Sequence, residues 1–187
     1  MDTNKIIFLK DIENIRPKEM LTQVDVDLKK NENDEFLFFP SGAIYKNIKF
    51  ERKNKNKIFV FETQSIFINC KFNNTIIFRE NCMFINCVFN GSNCRFGNNC
   101  IFYDHAVFKE FVEEKDGYYF GSSCIFNCKI EISYAIFSSG TIFSEYVKCK
   151  KCKIAPFSIF MKDREFVDCS IKDWGKNGHF NSFLKYL

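Results

Sequence analysis

The sequence predicts an all-β chain wound as a three-sided parallel β-helix, with about 17–18 residues per coil and roughly seven to eight coils. Three observations predict it. A unit of the form small–x–aromatic recurs through most of the 187 residues. Successive units start five to seven residues apart, and three such steps return to an equivalent position. The third residue of the unit is usually phenylalanine, of which the chain has 25.

The unit is plainest in FINCKFNN at 67–74 and FINCVFNG at 84–91. Units begin at Ser65, Cys70, Ile76, Cys82, Cys87, Cys94, Cys100 and Ala106. They resume at Tyr118, Cys124, Ile130, Ala135, Thr141, Val147, Cys152, Ser158, Arg164 and Cys169, in steps of 6, 6 and 5. Three steps per period imply three short sides per coil. Side chains alternate along an extended segment, so the first and third residues of each unit face inward and the middle one faces out. Coils stacked about 4.8 Å apart satisfy one another's backbone groups.

Sorted by side, the third residues predict three interior ladders. The first side holds Phe67, Phe84, Phe102, Phe120, Phe137, Ile154 and Ile171. The second holds Phe72, Phe89, Phe108, Phe126, Phe143 and Phe160. The third holds Phe78, Phe96, a gap, Ile132, Cys149 and Phe166. The gap falls on KEFVEEKDG at 109–117, which has the length of a side but would place Glu114 inside; a bulge or outward loop is expected there. The first residue of the unit lies beside a ring and must be small and apolar, which accounts for most of the ten cysteines. Asn69, Asn81, Asn86, Asn93 and Asn99 precede such positions, as corner residues that tolerate positive φ.

Paired steps such as SIFINCKFNN and CMFINCVFNG resemble pentapeptide repeats, and FGNNCIF resembles the hexapeptide repeats of left-handed β-helix acyltransferases. The mixed step also resembles the short coils of bactofilin-like right-handed helices, the hand favoured here because the irregular steps fit hexapeptide coils poorly. The resemblance covers roughly residues 43–172. It implies a solenoid at 43–172 between a cap or face-covering segment at 1–42 and a second cap at 173–187. In the first, DIENIRPKEMLTQV is expected to be a short helix broken near Pro17, and DEFLFF a strand. In the second, Trp174, Phe180, Phe183 and Leu184 are expected over the last coil.

The net charge of +4 is split between an acidic first 40 residues and a basic remainder, and neither part compels a nucleic-acid partner. No signal peptide or membrane span is visible, so a cytoplasmic protein with reduced cysteines is expected.

Chemical candidates are few. The hexapeptide resemblance implies a corner histidine as general base, and His105 in IFYDHAVF fits, with Asp104 or Tyr103 assisting. No nucleophile or glycine-rich signature accompanies it. CKKC at 149–152 has metal-like spacing without a second pair, so no metal or cofactor is expected. Cys128 falls outside the inward register, as an accessible thiol. A basic loop, with Lys49, Arg52, Lys53, Lys55 and Lys57, is a candidate phosphate contact that lacks interleaved aromatics.

The middle residues carry the functional expectation. One outer face is predicted to show Ile66, Met83, Ile101, Tyr119 and Ile136, and another Val88, Val107, Ile125, Ile142 and Ile159. The remaining face, with Ile77, Arg95, Glu131, Lys148 and Glu165, is largely charged. Apolar ladders on two outer faces imply a non-enzymatic solenoid that binds a protein partner or itself. A hexapeptide-type acyltransferase using His105 and a nucleic-acid-associated protein using loop 49–57 are the alternatives.

Overall fold

The computed structural model of the chain describes residues 19–21, 36–51, 58–111, 113 and 116–171. These form short strands, all paired in parallel with the strand one coil away, which makes the predicted three-sided solenoid. Six turns carry the backbone from Ile44 through Ile66, Met83, Ile101, Ile125 and Ile142 to Ile159, and Met20 pairs with Ile44 one turn earlier.

The interior is three columns of aromatic rings. On the first face Tyr45, Phe67, Phe84, Phe102, Phe126, Phe143 and Phe160 stack with centroids 4.6–5.2 Å apart and planes within 15°. The third face stacks Phe39, Phe61, Phe78, Phe96, Phe120 and Phe137. The second stacks Phe50, Phe72, Phe89 and Phe108, then continues with Ile132, Cys149 and Phe166. Rings of different columns meet edge-on, as Phe67 and Phe78 do at 76°. One geometry thus gives the rings within each column stacked neighbours above and below and edge contacts across, the two arrangements that the ring quadrupole favours.

The column membership corrects the expected register. Phe120 stacks on Phe96, not Phe102, and Phe126 stacks on Phe102, not Phe108. Every unit after residue 117 therefore shifts by one side. The cause is the segment 109–117, which adds no side to the coil. Most turns span 17 or 18 residues, as from Asn69 to Asn86 and from Asn81 to Asn99. The turn from Asn98 to Ser122 spans 24. The described residues Lys109–Phe111 leave the coil on the outside of the second face, where Phe111 bonds to the outward Ser133. Glu114 itself lies outside the described residues.

Corner chemistry follows the sequence. Asn69, Asn81, Asn86, Asn93 and Asn99 all have φ between 52° and 59°. Their amides also form ladders that the sequence did not announce. Asn86 donates from Nδ2 to Asn69 Oδ1 at 2.9 Å, and Asn69 donates to Asn47 Oδ1 at 3.1 Å. Where FINCKFNN ends in Asn74, FINCVFNG ends in Gly91, because a Cβ there would lie 1.7 Å from the Asn74 carbonyl oxygen. The small inward position holds its thiols by more than size. Cys87 Sγ donates to the carbonyls of Phe67 and Ile85, and Cys70 Sγ to those of Tyr45 and Ile68.

At the ends, Phe36–Phe39 is a strand of the third face, as DEFLFF suggested. Glu19–Leu21, expected in a helix, is a strand beside Ala43–Tyr45. The rest of 1–35, which was expected to cap the solenoid or cover a face, lies outside the described residues, as does the C-terminal cap with Trp174, Phe180, Phe183 and Leu184.

Candidate functional face

With the register corrected, the outward residues sort differently. Ile66, Met83, Ile101, Ile125, Ile142 and Ile159 form a single file on the first face, headed by Ile44. Val88 and Val107 belong to the second face, in line with Lys71. Tyr119 and Ile136 belong to the third, between Arg95 and Lys153. Two broken apolar ladders become one continuous ladder of seven rungs and two mixed faces. At about 4.8 Å per coil its length is roughly 29 Å.

A second outward file runs beside it: Ile68, Ile85, Tyr103 and Asn127. Neither file carries a charge from Ile66 onward. Ile44, Ile66, Met83 and Ile85 are buried as an apolar cluster of their own, with Ile68 and Tyr103 packed against it. Ile101, Ile125 and Ile142 are half-buried. At the last coil the face opens: Ile159 is 49% exposed, and its neighbours Phe157 and Met161 are 62% and 66% exposed. Phe157 stands at a corner with φ 60°, which turns its ring outward beside the ladder.

The other two faces are solvated and self-paired. On the second, Lys148 holds Glu165 at 2.9 Å, and the ammonium and the Tyr146 hydroxyl together lower the Glu165 carboxyl below its usual range. On the third, the Arg95 guanidinium lies 5.5 Å from the centre of the Tyr119 ring. Exposed pairs of this kind are screened by solvent and add little stability.

His105 and Asp104 are exposed in a bulge of the strand Ile101–Phe108, where both oppose the single corner residue Asn86. Asp104 takes the positive-φ corner conformation, at 59°. His105 is thus the extra residue that lengthens the turn from 18 residues, between Ile85 and Tyr103, to 19, between Cys87 and Ala106. Lys49 is ion-paired with Glu51. Arg52, Lys53, Lys55 and Lys57 lie outside the described residues. Cys149 and Cys152 are interior, and Cys152 Sγ donates to the carbonyls of Ile132 and Lys150. Cys128 is not accessible as expected. It is 3% exposed, and burial pushes its thiol up to about 12. All ten cysteines are free thiols.

Compared with known families, curated proteins and solved structures, the chain matches none of them. Among the described residues no helix is long and apolar enough to cross a membrane.

Proposed function

We propose that this solenoid is a non-enzymatic docking module whose first face pairs with the same face of a second copy. The observation that carries the reading is the uncharged ladder of Ile101, Ile125, Ile142 and Ile159, which runs out of cover toward Phe157 and Met161. A stripe of that kind is uncommon on a monomer. β-Propensity alone favours Ile in strands, but it does not account for the exposed Met161 that follows the last rung, Ile159.

A second copy is the occupant that fits this surface. The stripe offers no charge for a charged partner to recognise. It is instead a rigid comb with teeth about 4.8 Å apart, and its natural complement is a surface of equal pitch. A two-fold axis across the face would lay ladder against ladder, with each contact made twice, residue i on j and j on i. Sedimentation equilibrium over a range of protein concentrations tests the reading. A reversible shift from monomer to dimer mass is expected. A monomer at every concentration would overturn self-pairing.

A further inference from the structure

The second face is interrupted at one level, between Phe108 and Ile132. The strand Ile101–Phe108 pairs with the coil before it, and Ile130–Ser133 pairs with the coil after it, but the two belong to separate sheets. The excursion from Lys109 onward is built onto this break. Phe111 donates its backbone N–H to Ser133 Oγ at 2.9 Å, so that Ser133, outward by alternation, is 2% exposed. Tyr118 is buried against Phe108 and Phe111, and its hydroxyl donates to the Phe89 carbonyl at 2.8 Å. Glu110 holds Lys150 at 3.1 Å. These contacts hold Glu110 at the edge of a recess of about 210 Å³ whose lining includes Phe108 and Ile132.

The rim carries two ammonium groups, Lys148 and Lys150, and two carboxylates, Glu110 and Glu131. Lys148 and Lys150 lie two residues apart on one strand, about 6.6 Å along it, a span that a single carboxylate bridges. Glu131 lies beside Lys148 in register, and Glu110 beside Lys150. The outer partners, Glu165 on Lys148 and Lys129 on Glu131, keep the rim neutral. A neutral rim with both signs and an apolar floor does not select a polyanion or a polycation. It complements a molecule that carries both charges on one end and an apolar group on the other.

We propose that this recess binds a free α-amino acid with an apolar side chain. Its carboxylate lies between Lys148 and Lys150, its ammonium faces Glu131 and Glu110, and its side chain rests on Phe108 and Ile132. The site is independent of the first face. L-Leucine is a suitable probe, followed by calorimetry or by NMR shifts of the full chain. Saturable binding is expected. N-acetyl-leucine and leucinamide, each lacking one charge, should bind about tenfold more weakly or worse. The variants Lys148→Met and Glu131→Gln change exposed side chains and should keep the melting temperature while weakening leucine by a similar factor. Absence of saturation with leucine at millimolar concentration would overturn the proposal. So would equal binding of the two analogues, or variants that fold and bind leucine unchanged.

Discussion

Phe102 and Phe126 stack with their centroids 4.6 Å apart and their planes 3° from parallel, across the turn that contains the excursion. The pair fixes the register on either side of the excursion. It puts Ile101 above Ile125 on the outside, and with that it joins the two halves of the apolar ladder.

Phe126→Ala removes a ring that is fully buried and stacked on both sides, on Phe102 and on Phe143 at 5.1 Å. The stiff coils above and below cannot close the space, so a loss of about 3–5 kcal/mol is expected. Chemical denaturation measures it. A loss under about 1 kcal/mol would contradict the placement of this ring in the core column.

Asn69→Ala should cost more than an exposed substitution normally does. It removes both bonds of the amide ladder and puts a Cβ-bearing residue with no local hydrogen bond at φ 53°. A loss of about 1–2 kcal/mol is expected, and Asn69→Gly should recover the part due to backbone strain. Equal losses for Ala and Gly would mean that the side-chain bonds alone matter.

Stability should fall in alkali. Burial pushes the Cys94 thiol from its ordinary 9.0 up to about 12. The unfolded chain ionises this group first, so its contribution is intact below about pH 9 and is lost as pH rises toward 12. Cys128 behaves alike by burial, and Cys152 through its contact with Cys149. Melting under reducing conditions from neutral pH upward should show the decline, and Cys94→Ala should make it shallower. A melting temperature that stays level above pH 9 would refute the buried-thiol account.

Most of the fold was legible because the packing problem repeats. A coil of 17 or 18 residues has room at fixed places for a ring, a small group and a corner residue, and the sequence places Phe, Cys and Asn accordingly. What could not be read was whether 109–117 counts as a side. Its length is right for one, and only the contacts of Phe111 and Tyr118 show that it leaves the coil. That single miscount moved Ile125, Ile142 and Ile159 to the wrong face. Periodicity is blind to such a slip, since all three sides share one unit. Cys128 was misplaced for a related reason: it lies outside the unit, at a corner the chain nevertheless encloses.

The proposed docking surface is the single apolar ladder of the first outer face. The double variant Ile125→Lys/Ile142→Lys tests it most directly, measured by light scattering together with thermal melting. Both side chains are outward and only half-buried, so the fold should survive with little change in melting temperature. Two ammonium groups in an apolar contact should abolish association, leaving a folded monomer. A folded double variant that associates as the parent does would contradict the claim. So would a variant that fails to fold, because it would place those residues in the core.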